Sequence, residues 1–168
     1  MNNTLNKTVY ALTFGLFTAL SSVHVLAGQA DDIQISDPFT REMPPGAFAT
    51  ASFMILKNQG NSAIKLVQAD SNVAKKVELH THTNDNGVMR MRQVDFFEIP
   101  AKGQAELKPG GNHIMLISPT QEITVGQNVT ITLTFEDGSS KQVTMPVKSV
   151  MNMNGSGMND DEHQHHHH

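Results

Sequence analysis

No cysteine occurs anywhere in this chain, and that absence narrows its chemistry more than any other bulk feature. In an oxidising compartment a fold without disulfides must be held by a hydrophobic core of its own. A lipid-bearing cysteine, thiolate metal sites and blue-copper electron transfer, which requires a Cys ligand, are all excluded. A long apolar span is lacking too. The run at 9–20 is twelve residues, short of the roughly 20 that a membrane-spanning helix requires. It follows Lys7 and precedes Val25-Leu26-Ala27, whose small residues suit the −3 and −1 positions of a cleavage site. Residues 1–27 therefore read as an export signal, with no stable membrane insertion expected. Basic charge is scarce: removal of 1–27 leaves eleven Lys and Arg against sixteen Asp and Glu. Nucleic acid is not expected as a partner, because phosphate binding needs a basic patch. A nucleophile–base motif is also missing, so the chain is not expected to be an enzyme.

What is present is strand. The 168 residues have room for one domain with short extras. Val129, Ile131, Leu133 and Phe135 alternate with Thr130, Thr132 and Thr134, the period-two pattern of a strand with one buried face. Asp137-Gly138 follows as a turn, and Val143, Met145 and Val147 alternate beyond it, a hairpin signal. Further strands are expected at 50–57, 63–69, 76–82, 88–94, 104–107 and 113–117, separated by turn residues at 58–60, 84–87 and 109–111. A helical 3.6-residue repeat and internal repeats are both missing. Seven to nine strands at this spacing predict an all-β antiparallel sandwich of roughly 120 residues, placed here at 31–150. Beyond it, 151–168 is rich in Gly, Asn and acidic residues and is expected to be a disordered tail.

The polar faces of three of these strands carry metal donors. Alternation puts Met89 and Met91 on one face and Arg90 and Arg92 on the other. His113 and Met115 share a face, with Ile114 and Leu116 opposite; likewise Glu78, His80 and His82 oppose Val77, Leu79 and Thr81. A hairpin centred on 84–87 would set His80 across from Met91 and His82 across from Met89. Opposed Cβ atoms lie roughly 4.5–5.5 Å apart, within reach of a shared ion. Both pairs satisfy that register, so spacing alone leaves the choice of ligands open. Thioether sulfur is soft and uncharged and favours Cu(I), and imidazole accepts copper in either oxidation state. The tail adds Met151, Met153, Met158, His163, His165, His166, His167 and His168. It reads either as a second, mobile copper site taking Cu(II) on its imidazoles or, in its terminal histidines, as a purification tag.

The four positions His80, Met91, His113 and Met115 follow a specific spacing: His, ten residues, Met, twenty-one residues, His-x-Met. In this the chain resembles the periplasmic PCu(A)C-type copper chaperones. The stretches 43–47 (MPPGA), 85–92 (DNGVMRMR) and 107–116 (LKPGGNHIML) are similar to that family as well. Where some members place Met after the first His, this chain has Thr81. The resemblance covers about 33–147 and implies a cupredoxin-like sandwich that binds Cu(I) through His80, Met91, His113 and Met115. It favours His80 and Met91 over His82 and Met89, leaving His82 as a solvated turn residue and Met89 as rim packing. It further implies delivery of copper to the Cu(A) subunit of a respiratory oxidase, or to a thiol-bearing copper chaperone; the chain is expected to be a monomer. The alternative, an exported structural or adhesion domain with incidental metal binding, has to treat the spacing and the His/Met tail as coincidence.

Overall fold

A computed structural model describes residues 28–149, which form ten strands and one short helix. The expected export signal and the Met/His-rich tail lie outside the described residues. Helix α1 (Gln29–Asp32) runs into β1 (Ile33–Arg41), and β2 (Ala49–Asn58), β3 (Ile64–Asp70), β4 (Ala74–Asp85) and β5 (Val88–Gln93) follow. The chain continues through β6 (Phe97–Ile99), β7 (Gln104–Leu107), β8 (His113–Pro119), β9 (Asn128–Phe135) and β10 (Ser140–Lys148). The order across the sheet is β5-β4-β8-β2-β1-β10-β9-β3-β6, with β7 paired to β2 beyond the end of β8.

Strand alternation accounts for most of this. In β9 the apolar set Val129, Ile131, Leu133 and Phe135 is buried to the last residue, while the intervening threonines keep some exposure. Its hairpin with β10 runs in unbroken register from Ser140↔Thr134 to Pro146↔Asn128. Gly138 closes the turn at φ +81°, a conformation open to glycine because it has no Cβ. Leu56, Leu66, Ile114, Leu116, Ile131 and Leu133 are fully buried in one core shared by both layers. Each contributes about 1.5–3 kcal/mol by leaving water.

The cupredoxin-like sandwich is therefore present, with three differences from the expectation. Ten strands form rather than seven to nine. The short helix α1 precedes them. And one strand pairing is parallel: Thr40↔Val147 and Arg41↔Lys148 join β1 to β10, while the other pairings between the described strands are antiparallel. This join links the two layers. β1 pairs with β2 on both sides of a bulge between Ser36 and Phe39, where Asp37 takes φ +51° before Pro38, and beyond the bulge its other edge runs alongside β10. Such a bulge bends a strand and increases its twist. Pro38 and the polar residues around it also break the alternation that would have marked β1 in the sequence.

The layer containing β4, β8 and β2 has two distinct faces. Leu79, Ile114, Leu116, Met54 and Leu56 point into the sandwich. By alternation Glu78, His80, His82, His113, Met115 and Phe53 lie on the outer face. That face is not simply solvated, since Phe53, His113 and Glu78 are all buried.

Candidate metal centre

His80 on β4 and His113 on β8 are direct cross-strand partners, with ring centroids 5.8 Å apart. Among the described residues His113 is the most enclosed imidazole, 2 % exposed, packed against Phe53 with centroids 6.3 Å apart. Its Nδ1 lies 3.0 Å from the Gly111 carbonyl, so Nδ1–H donates there and the lone pair sits on Nε2. That Nε2 is buried and has no hydrogen-bond partner.

His80 is arranged the other way round. Its Nε2 is 2.6 Å from Glu78 Oε2, so Nε2–H donates to the carboxylate and the lone pair falls on Nδ1. That Nδ1 is likewise buried and unpartnered. Leaving a buried acceptor unsatisfied costs about 1–3 kcal/mol, and here two of them occur on rings whose centroids are 5.8 Å apart. In metal sites a ligating histidine almost always commits its other ring nitrogen to a carboxylate or carbonyl. Both histidines meet that description.

The surrounding charges fit this state. Hydrogen bonds from Lys76 and His80 hold Glu78 below the usual carboxylate range despite its burial. Burial pushes His113 below the usual imidazole range, although the Gly111 carbonyl opposes this. Near neutral pH His113 is therefore unprotonated and Glu78 ionised, which is the form a metal requires.

The methionines occupy the same outer face. Met115 is two residues from His113 and pairs with Glu78, so it is diagonal to His80. Met91 is 45 % exposed on β5, the edge strand. Among the described residues, no group of three or more His, Cys, Asp or Glu side chains is placed to hold a metal ion. Met91 and Met115 add thioether sulfur to the donors on this face. A hollow of about 520 Å³ lined by Glu42, Met43, Pro44, Pro45 and Ile123, among others, shares no residue with the histidines. The candidate centre is an open sheet face, not a pocket.

Two details depart from the sequence expectation. The β4–β5 hairpin does not pair His80 with Met91. Its register sets His82↔Met91, His80↔Gln93 and Asn84↔Met89. The turn is the two residues Asn86 and Gly87, at φ +54° and +85°, instead of a four-residue loop over 84–87. Positive φ at both central residues is the type I′ geometry that suits strand twist and favours Asn-Gly. The slide is by two residues, so the faces survive while the partners change. Met91 is now diagonal to His80, a separation of roughly 7–8 Å that long side chains still bridge.

The second departure is His82, which is not a solvated turn residue. Its ring lies 5.2 Å from that of His113, and its Nδ1 is 3.3 Å from the same Gly111 carbonyl. Gly111 is twenty-nine residues away in the chain, so no local pattern announced this contact. Met89 packs no rim either, being 56 % exposed.

Comparison with known proteins gives a consistent placement. The family profile described as "Putative lipoprotein LpqE-like" matches residues 33–147. The protein named "Putative lipoprotein Lxx21020" from Leifsonia xyli is 35 % identical over 154 residues, covering 88 % of this chain and 90 % of its own. Among solved structures, the Cu(I) form of DR1885 from Deinococcus radiodurans is 35 % identical with a TM-score of 0.56, covering 66 % of this chain and 74 % of its own. The copper-bound PCuAC domain from PmoF2 has a TM-score of 0.60, covering 70 % of this chain and 93 % of its own. At 21 % identity that likeness speaks for the fold alone.

Proposed function

We propose, from the premise that the chain belongs to the LpqE-like family of PCuAC-type domains, that it is an exported copper chaperone which binds Cu(I) and performs no covalent chemistry. The observation that carries this reading is the pair of buried nitrogens, His80 Nδ1 and His113 Nε2, on rings whose centroids are 5.8 Å apart, each unpartnered while the ring's other nitrogen is tied down. The Cu(I)-bound relative DR1885, 35 % identical, supports the choice of metal. His80 and His113 supply imidazole, and Met91 and Met115 supply thioether. Soft, neutral sulfur stabilises Cu(I) and leaves little tendency to cycle to Cu(II).

The cargo is held without thiolate, which suits an oxidising periplasm. Relatives named as lipoproteins support export, but this sequence has no cysteine to carry a lipid. Among the described residues no helix is long and apolar enough to cross a membrane. The acceptor is a protein with softer or more numerous donors: the Cu(A) subunit of a respiratory oxidase, or a thiol-bearing copper chaperone. The segment 151–168, with Met151, Met153, Met158 and five histidines, serves as a collector that takes Cu(II) on its imidazoles; an external one-electron donor, such as a small-molecule thiol oxidised in the step, reduces the ion to Cu(I), which then passes to the sandwich.

X-ray absorption on the chain loaded with one Cu(I) tests the ligand set. Mixed sulfur and nitrogen scattering is expected, with the sulfur contribution lost in a Met91→Ala, Met115→Ala double variant. A sulfur-free spectrum of the parent, or unchanged affinity in the double variant, refutes the thioether assignment.

A further inference from the structure

Three imidazoles, not two, gather on the outer face, and a four-ligand site leaves the third without a task. His113 stands between the other two. On one side is His80, its ring 5.8 Å away, 14 % exposed and clamped by Glu78. On the other is His82, its ring closer at 5.2 Å, held only by a long contact to the carbonyl that already accepts from His113. His82 is also the residue directly opposite Met91, whereas His80 is opposite Gln93. The three groups His82, Met91 and His113 therefore form a second donor set that shares two members with the first. This set lies nearer the hairpin tip, where every residue of β5 is exposed.

We propose that His82 is a transfer ligand, which replaces His80 on the Cu(I) ion as copper is released to an acceptor. The inference rests on the copper-binding reading above. In the exchange, the bonds from copper to His80 Nδ1 and to Met115 sulfur break, and one bond to His82 forms. His113 Nε2 and Met91 stay bound throughout. With Nδ1–H of His82 turned to the Gly111 carbonyl, its Nε2 carries the lone pair that copper takes. No proton moves and copper stays Cu(I). The ion passes from four ligands to three, which opens a coordination position for the acceptor's sulfur on the exposed side of the hairpin. Asymmetry between the two histidines suits this division. A charged 2.6 Å bond fixes His80 as a resident ligand, whereas a 3.3 Å contact to a shared carbonyl leaves His82 free to swing onto the ion.

The test uses the full chain carrying His163→Asn, His165→Asn, His166→Asn, His167→Asn and His168→Asn, so that tail imidazoles do not compete. It is loaded with one Cu(I), and two quantities are read: equilibrium affinity against a chromophoric Cu(I) chelator, and the rate of transfer to that chelator. His82→Gln keeps an N–H donor for the Gly111 carbonyl but offers copper no imidazole. It should leave affinity within about threefold while slowing transfer at least about tenfold, a barrier increase of about 1.4 kcal/mol. His82→Met restores a soft donor without that hydrogen bond and should recover the parental rate, which a purely structural role would not allow. His80→Gln should lose affinity by at least about tenfold, as expected for a resident ligand. The proposal is overturned if His82→Gln loses as much affinity as His80→Gln, transfers at the parental rate, or is no slower than His82→Met. A parent chain that takes up no Cu(I) would sink the copper reading and this inference together, an outcome distinct from intact binding with unaltered transfer.

Discussion

Replacing Glu78 by Gln tests whether the candidate centre is organised by its surroundings as well as by its ligands. Glu78 touches no proposed copper bond. It accepts from His80 Nε2–H at 2.6 Å, is 9 % exposed, and is ionised because Lys76 and His80 both hydrogen-bond to it. Charge-assisted bonds of this kind are roughly twice as strong as neutral ones. Gln in the same place still offers an acceptor oxygen but no charge, and its amide can also turn to present N–H. His80 then loses the preference that keeps its lone pair on Nδ1, and loses the anion that would offset charge drawn onto the ring by copper. Partners of this type are worth tenfold to a hundredfold in metal affinity, or about 1.4–2.8 kcal/mol of binding free energy.

The same substitution should scarcely affect the apo fold. Lys76 is largely exposed, so its pairing with Glu78 adds little. The hydrogen bond to His80 is retained in weaker form, and apo stability should shift by about 1 kcal/mol or less. Glu106→Gln is the matched control, since Glu106 also carries a lowered pKa, from Lys108, but lies on β7 with no histidine partner. Cu(I) competition titrations and apo thermal unfolding are measured on all three proteins. The reasoning fails if Glu78→Gln binds copper within twofold of the parent, or if it loses affinity only in proportion to a loss of apo stability.

Three other outcomes are expected. Leu133→Ala, at a fully buried site in the shared core, should cost about 2–5 kcal/mol in denaturant unfolding, with a smaller loss meaning that neighbours collapse into the cavity. The apo domain should unfold cooperatively on its own core, and Cu(I) at a hundredfold excess over Kd should add only about 2.7 kcal/mol by mass action; an apo state that orders only when copper is added would contradict this. Truncation after Val150 should leave core Cu(I) affinity nearly unchanged while removing the extra Cu(II) sites and slowing loading from dilute copper. Equal Cu(II) stoichiometry and equal loading would show the tail to be inert.

How much of this was legible beforehand depends on how local the cause is. The outer-face grouping of His80, Met91, His113 and Met115 follows from strand parity alone, and the structure places all four on that face. Register was less accessible, because a hairpin shifted by two residues has the same parity. The signal that decides it was nonetheless present: Asn86-Gly87 is a strong two-residue turn pair, and reading the loop as four residues put Met91 opposite the wrong histidine. Glu78 as the partner of His80 was also open to view, two residues away on the same face. The approach of His82 to Gly111 was not, since it depends on how β8 enters the sheet. Strand β1 was hidden because Asp37 and Pro38 interrupt its alternation.

On the proposed reading, the position of the donors within the sheet lets one face both hold an ion and yield it. His113 sits on β8, flanked by β4 and β2, and its ring is walled in by Phe53, His80 and His82. Its orientation is fixed before copper arrives, so little conformational entropy is lost on binding there. Met91 sits on β5, paired on one side only, and keeps nearly half its surface in water. An edge strand of this kind invites pairing with other chains unless something blunts it. Here Arg90 and Arg92, both bridged to Asp85, charge the face opposite the methionines. The edge is thus discouraged from casual association while its sulfur face stays open to an acceptor. Moving across the sheet from β8 to β5, the donors grade from rigid and dry to exposed and adaptable. On the copper-chaperone reading proposed above, that gradient gives copper a direction in which to leave, and a site ringed entirely by buried histidines would not have one.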